Sequence, residues 1–209
     1  MIKLILFDLD DTLIYTYNNY YKRVKKAAQL IFNVNITRKR FDKFYGKPGF
    51  KENMKQLLEK KEIDNFIDCF NELLIENKYK KIISDKYLDN LKKEGINIGI
   101  ISNALREKNN IKINHADIGC FFDFIYSFED LKNPKPDTEI INKIIDAKKY
   151  LRSEIIYVGD SGIDMEFANN ASICFVPVRT GKDKWKFKKS YKNVNSFLKK
   201  FLRNIERSE

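Results

Sequence analysis

One histidine, one tryptophan, three cysteines and four prolines are scattered through 209 residues, and each scarcity argues against a class of chemistry. The lone His115 has no histidine or cysteine partner at metal-ligand spacing and no serine in a recognisable relay, so zinc hydrolysis and Ser-His-Asp catalysis are not expected. Cys69, Cys120 and Cys174 are odd in number, widely separated and without C-x-x-C spacing, so they read as reduced, structural thiols. No apolar run approaches the roughly 20 residues that cross a bilayer. The stretch from Met1 to Phe7 runs into Asp8 without a small-residue cleavage site. A soluble, cytoplasmic protein with no membrane partner is the expectation.

What is present is a core and a cationic surface. At 43% hydrophobic residues the chain has ample material to bury, and at about 150 residues per domain its length suits one domain carrying an insertion. Forty Lys and Arg against 29 Asp and Glu leave a net charge of +11. The lysines are spread along the whole chain among isoleucines and asparagines, a compositional pattern rather than a basic block, and they suit anionic substrates. Near the carboxy terminus Lys182, Lys184, Lys186, Lys188, Lys189 and Lys192 interleave with Trp185 and Phe187. That arrangement can bind single strands by stacking and phosphate contact. No recognised nucleic-acid motif accompanies it, so the stretch reads as a solvated loop whose aromatics pack back on the body. Nucleic acid is not the expected partner, and a monomer is the default.

Apolar, β-branched runs that stop abruptly at polar residues mark buried strands. They lie at Ile2–Phe7, Ile96–Ile101, Phe124–Tyr126, Ile155–Val158 and Ile173–Val178. Helical patterns fall between them, at Ile83, Tyr87, Leu88 and Leu91, at Ile140, Ile141, Ile144 and Ile145, and at Met165 and Ala168. Strands alternating with helices predict an α/β fold with a doubly wound parallel sheet. Residues 15–80 break the alternation. They hold amphipathic stretches around Tyr20–Ile31, Met54–Leu58 and Phe66–Leu74, split at Gly46-Lys47-Pro48-Gly49, and so predict a helical insertion between core segments 1–14 and 81–209 whose aromatics form its own core. Asn193–Ile205 predicts a final amphipathic helix, and a late strand between Val178 and Ser190 is hard to find.

Four polar clusters follow the carboxyl ends of these runs, where doubly wound sheets bind ligands. In Asp8-Leu9-Asp10-Asp11-Thr12-Leu13, alternation along an extended strand end sends Leu9 away from Asp8 and Asp10, so two carboxylates can serve one centre. Ser102-Asn103 offers a hydroxyl and backbone N–H groups to phosphate oxygens. Lys135, between Pro134 and Pro136, supplies a cation on a stiffened backbone, with Lys132 as its rival. Gly159-Asp160-Ser161-Gly162-Ile163-Asp164 presents acidic oxygens on a tight turn, the donor type Mg²⁺ prefers. Taken singly, Thr12 and Ser102 also read as helix caps, and Asp164 as a carboxylate favourable to a helix start.

Together, Asp8, Asp10 and Thr12, then Ser102, then Lys135, then Gly159, Asp160 and Asp164 resemble the haloacid dehalogenase superfamily pattern D-x-D-x-T, Ser/Thr, Lys, G-D-x-x-x-D. The insertion resembles the helical cap of the subgroup typified by phosphoglycolate phosphatase and β-phosphoglucomutase. The resemblance implies a Mg²⁺-dependent phosphohydrolase of a small phosphorylated metabolite. Asp8 would be the nucleophile that forms an aspartyl-phosphate and Asp10 the acid and base, with Thr12 orienting Asp10 by a hydrogen bond. Ser102, Asn103 and Lys135 would bind the phosphate, and Asp8, the Asp10 carbonyl, Asp160 and Asp164 would surround the metal. Retention of Asp10 argues against the dehalogenase branch, because a carbon–halogen bond needs no proton at its leaving group. A β-phosphoglucomutase-type mutase shares all four motifs, and a basic nucleic-acid-binding protein with a vestigial site is the alternative from another class. The Gly46-Lys47-Pro48-Gly49 loop and one face near Tyr20 or Arg23 are expected to approach the substrate and set specificity.

Overall fold

The structure is a computed structural model and describes every residue except 48, 77, 182–186, 188 and 208–209, and all side chains of those but 75 and 76. It divides into two compact units, Met1–Tyr15 with Tyr79–Glu209, and Thr16–Lys78.

The first unit is built on a five-stranded parallel sheet of β1 (Leu4–Phe7), β4 (Asn97–Ile101), β5 (Phe124–Tyr126), β6 (Ile155–Gly159) and β7 (Cys174–Pro177), in the order β5-β4-β1-β6-β7. The central strand β1 pairs with β4 through Leu4↔Asn97 and with β6 through Leu4↔Ile155. All four of its side chains are fully buried, as a parallel strand covered on both faces requires. Leu4 and Leu6 point to a face filled by Ile140, Ile141 and Ile144 of α7 (Glu139–Lys148) and Phe167 and Ala168 of α8 (Gly162–Asn170). Each such aliphatic side chain contributes about 1.5–3 kcal/mol on burial. A two-residue antiparallel ladder, β2 (Ile14–Tyr15) with β3 (Lys80–Lys81), stands where the chain leaves and re-enters this unit.

Three further helices belong to this unit. Helix α5 (Asp85–Lys93) packs on α9 (Val194–Glu206), whose N-cap Asn193 accepts the Ser196 N–H at 3.0 Å. Helix α6 (Arg106–Ala116) joins β4 to β5, and the hydrophobic pattern does not predict it. Its buried residues are Asn109, Lys112, Ile113 and Ala116. They have helical spacing but are half polar, so the usual apolar stripe is missing. Beyond β7 the late strand reduces to a bridge, in which Arg179 N–H donates to the Tyr191 carbonyl at 2.9 Å.

The second unit is helical: α1 (Tyr17–Phe32), α2 (Arg38–Asp42), α3 (Phe50–Leu58) and α4 (Asp64–Glu76). Val24, Ala27 and Ala28 of α1 pack with Phe41, Met54, Leu57, Phe66 and Phe70. Small residues on α1 let large rings approach from α4, and Tyr20 meets Phe70 edge-on at 5.1 Å, a favoured aromatic geometry. Arg23, expected near the substrate, is packed inside this unit. It is 4% exposed, its guanidinium lies 3.8 Å from the Phe70 ring centroid, and its Nε and Nη2 donate to the Phe70 carbonyl. The Phe70 carbonyl and ring face thus engage its guanidinium, and it braces α1 against α4.

Other expectations fare unevenly. None of the three cysteines forms a disulfide, but Cys120 and Cys174 are exposed, so neither is a structural core thiol. His115 is exposed and stacks on Tyr79 at 6.0 Å. Phe187 packs edge-on against Phe175 of β7 at 5.6 Å, as an aromatic folded back on the body does. Lys182, Lys184, Trp185, Lys186 and Lys188 lie outside the described residues, as does Pro48 of the Gly46–Gly49 loop.

Candidate active site

The sheet order sets the position of the site. The connections after β1 lead through β4 to β5, whereas β6 leads away to β7 on the opposite side. Strands β1 and β6 therefore flank the switch point, the place where open α/β sheets leave a crevice at their carboxyl ends. Asp8 and Asp10 follow β1, and Asp160 and Asp164 follow β6.

The segment after β1 is a tight, self-bonded turn. Leu13 and Ile14 N–H groups both donate back to the Leu9 carbonyl, at 3.0 and 3.2 Å, and Asp11 N–H donates to the Ile14 carbonyl at 2.7 Å. Asp11 takes φ 58°, a left-handed conformation that aspartate tolerates better than most residues. Leu9 is fully buried while Asp10 is partly exposed, so alternation does separate the leucine from its acidic neighbours.

Asp8, Asp160 and Asp164 are all buried, and one carboxylate oxygen from each lies within 4.8 Å of the others. Crowding like charges in a desolvated place makes ionisation harder. Burial, with Asp164 and Asp10 adding to it, pushes Asp8 up to about 7 despite the opposing Lys135 cation. Asp160 is pushed well above the ordinary carboxylate range by burial and by the charges of Asp164, Asp8 and Asp11.

Lys135 is the cation that holds this group together. Its Nζ donates to Asp8 Oδ1, Asp164 Oδ1 and the Tyr157 hydroxyl, each at 2.7 Å, and the residue is 5% exposed. Burial alone would push such an ammonium down. Asp164 and Asp8 outweigh that and hold it well above the ordinary lysine range. Lys132, the rival from sequence, pairs with Glu139 at 3.4 Å on the surface.

Asn103 explains how Lys135 is aimed. Its Oδ1 accepts from the Lys135 N–H at 2.8 Å and its Nδ2 donates to the Lys135 carbonyl at 3.0 Å, stapling the loop after β4 to the loop carrying Lys135. The side chain of Asn103 thus positions Lys135, a role separate from the phosphate contact expected of the Ser102 hydroxyl and the backbone N–H groups of this turn. Ser102 does not cap α6, whose N-cap is Leu105. Its hydroxyl donates to Asn109 Oδ1 at 3.3 Å and accepts from Ala104 N–H at 3.2 Å, and Asn109 Nδ2 passes on to the Ala104 carbonyl and Ser127 Oγ.

One further expectation is corrected. Thr12 does not orient Asp10; its hydroxyl donates to Asp160 Oδ1 at 3.1 Å, fixing the carboxylate contributed by the neighbouring strand. Asp10 is held instead by Lys112, whose Nζ lies 2.7 Å from both of its carboxylate oxygens. Asp164 combines two readings. It is the third residue of α8, in a capping box with Ser161 whose N–H donates to its Oδ2 at 3.1 Å, while its Oδ1 faces Lys135.

Sequence reading passed over Lys112, Asn109, Tyr157 and Gly181. For Gly181 the signal is steric. A Cβ there would lie 1.5 Å from Asp160 Oδ2, so only a glycine lets this backbone pass over the carboxylate. The preceding Thr180 hydroxyl donates to the Asp11 carbonyl and holds the strap in place. Gly181→Ala is expected to displace Asp160 and lower Tm; an unchanged melting curve would show that Asp160 yields without consequence.

Comparison with known proteins points one way. The family profile described as Haloacid dehalogenase-like hydrolase matches residues 5–178. Pyrophosphatase PpaX of Bacillus velezensis is 30% identical over 173 residues, covering 80% of this chain and 78% of its own. Among solved structures, a predicted phosphoglycolate phosphatase from Haemophilus somnus superposes with a TM-score of 0.80 at 19% identity, over 96% of this chain and 98% of that one. CbbY from Rhodobacter sphaeroides, in complex with phosphate, gives 0.71 at 18% identity, over 95% and 96%. At those identities the two structures speak for the fold.

Proposed function

The chain belongs to the haloacid dehalogenase-like hydrolases and is a phosphatase of that family, and from that premise we propose that it is a Mg²⁺-dependent phosphohydrolase working through an aspartyl-phosphate on Asp8. The observation that carries this reading is the convergence of Asp8, Asp160 and Asp164 within 4.8 Å at the β1/β6 switch point, with Lys135 bridging two of them. Three hard carboxylate donors and no soft ligand fit Mg²⁺ rather than a thiophilic metal. Asp8 and Asp160 would hold it, with the Asp10 carbonyl, and Asp164 would act through its bonds to Ser161 and Lys135. When bound, the ion supplies charge neutralisation between nucleophile and phosphoryl oxygens.

The chain's own residues divide the remaining work. Asp8 attacks phosphorus in line while Asp10 gives a proton to the departing oxygen, and Asp10 then takes a proton from the water that cleaves the acyl phosphate. Lys135 and the Ser102 hydroxyl stabilise the phosphoryl oxygens. The substrate is a small phosphorylated compound, and the name of the Bacillus velezensis relative makes inorganic pyrophosphate the first one to try.

The test is hydrolysis of p-nitrophenyl phosphate and pyrophosphate with Mg²⁺ and with EDTA. Turnover is expected only with the metal, and turnover undiminished by EDTA would refute the assignment. Release of free phosphate, as opposed to an isomerised sugar phosphate, separates this reading from a mutase. Mg²⁺ is also expected to stabilise the fold, since it relieves buried like charges. At 100 times Kd binding is worth about 2.7 kcal/mol, or ~5–10 °C in Tm for a chain this long. A Tm unmoved by millimolar Mg²⁺ would count against a metal at these carboxylates.

A further inference from the structure

Lys112 is a buried cation with one visible employment. It lies in the middle of α6, is 5% exposed, and spends two of its three N–H donors on the two oxygens of Asp10, 102 residues away in sequence. Burying a long cationic side chain is costly unless it is paired and hydrogen-bonded. A symmetrical grip on both carboxylate oxygens also fixes the plane of the group, which a single hydrogen bond does not. The frame behind Lys112 is firm. Arg106 N–H at the start of α6 donates to both Glu129 oxygens, at 3.0 and 2.8 Å, and Asn109, one turn before Lys112, is fully buried between Ser102, Ala104 and Ser127. The helix that carries the grip is thus anchored to the same loop that carries Ser102.

We propose that Lys112 is the positioning residue for Asp10, holding its carboxyl group in the plane from which it serves the leaving oxygen. This deepens the phosphohydrolase reading and rests on it. In the first step the P–O bond to the leaving group breaks as the Asp8 oxygen bonds to phosphorus. The bonding pair goes to the leaving oxygen, and the proton comes from Asp10. Lys112 acts on the reaction only through the Asp10 carboxyl group. Its contribution is geometric, and so it matters most where proton delivery matters most, at leaving groups that depart poorly without a proton. Thr12, occupied with Asp160, leaves this task to Lys112.

The experiment compares wild type, Lys112→Met and Lys112→Arg on p-nitrophenyl phosphate and phenyl phosphate, which differ little in shape and greatly in leaving-group acidity. The readout is the ratio of the two kcat/KM values, in which any shared loss of binding or folded fraction cancels. Lys112→Met is expected to raise the preference for p-nitrophenyl phosphate by about 10-fold or more, and Lys112→Arg, which keeps two donors in a fork, to restore most of the wild-type ratio. An unchanged ratio in Lys112→Met, whether activity falls or not, would overturn the assignment and leave Lys112 a structural residue. Should Lys112→Met not fold, Lys112→Gln, which keeps polarity but not the charge or the grip on both oxygens, decides: a ratio raised in the same direction supports positioning, and an unshifted ratio refutes it. A wild-type protein inactive on both esters and on pyrophosphate would bring down the phosphohydrolase reading itself, and this inference with it, whereas an active wild type with indifferent variants brings down the inference alone.

Discussion

Asp8→Asn is expected to lower turnover by at least roughly 10⁴-fold while making the metal-free protein more stable at pH 8. The catalytic half follows from the amide's inability to form the acyl phosphate. The stability half follows from burial. The Asp8 carboxyl is raised from 3.8 to about 7 in the folded chain, so the folded state holds its proton more tightly than the unfolded one. By linkage the contribution of Asp8 to stability is fully present below about pH 4, falls as pH rises from there, and is lost above about pH 7. A neutral asparagine removes that loss. Lys135 keeps Asp164 and Tyr157 as acceptors after the substitution, so no cation is stranded. A Tm higher by a few degrees at pH 8, with the difference vanishing near pH 4, checks the argument in melting curves with EDTA. A lower Tm at pH 8 would mean that the Asp8–Lys135 pair is worth more than the desolvation it entails. The carboxylate proposed as nucleophile is thus held against the preference of the fold, as functional groups often are.

How far the sequence discloses this arrangement depends on which physical signal carries each part. The five strands are legible because a parallel sheet buries both faces, and runs such as Leu4–Phe7 and Ile155–Val158 are continuously apolar. The acidic residues at their ends stand out because a charge directly after such a run needs a reason. The two-residue strands at Ile14–Tyr15 and Lys80–Lys81 leave no periodic trace. Helix α6 was hidden for the opposite reason: positions 109, 112, 113 and 116 form a regular inward face, but Asn109 and Lys112 serve the site instead of an apolar core. Thr12 and Lys112 show a second kind of limit. Motif spacing identifies which residues gather, while hydrogen-bond partners depend on strands and helices that are distant in sequence. Asp10 finds its partner on α6 and Thr12 finds its own beyond β6. Gly181 is legible only from the 1.5 Å approach that a Cβ would make.

Replacing Lys135 by methionine is expected to be the most destabilising single change in the site, and its cause is charge rather than volume. The ammonium is the shared partner of Asp8 and Asp164, 3% exposed in its side chain. Methionine nearly matches its length but leaves those two carboxylates, and Asp160 beside them, without a cation. Removing one member of a buried ionic group typically costs about 3–5 kcal/mol, which for a chain of this size lowers Tm by ~6–20 °C. The pH dependence gives the cause away. Both Asp8 and Asp160 already take up protons more readily than ordinary carboxyls, and without Lys135 they do so more readily still. The deficit is therefore largest at pH 8 and shrinks toward pH 5, where protonation removes the repulsion. Two rescues follow from the same reasoning. Asp164→Asn in the Lys135→Met background is expected to recover part of the lost stability, so that the two effects are non-additive as for residues in contact. Millimolar Mg²⁺ should also recover part, because it returns positive charge to the same carboxylates, and yet activity should stay low because the phosphoryl oxygens have lost their ammonium. Melting curves at the two pH values, with and without metal, decide the matter: a loss that is equal at both and insensitive to Mg²⁺ would assign Lys135 a packing role, and the carboxylate cluster would then need some other counter-charge to explain how it is buried at all.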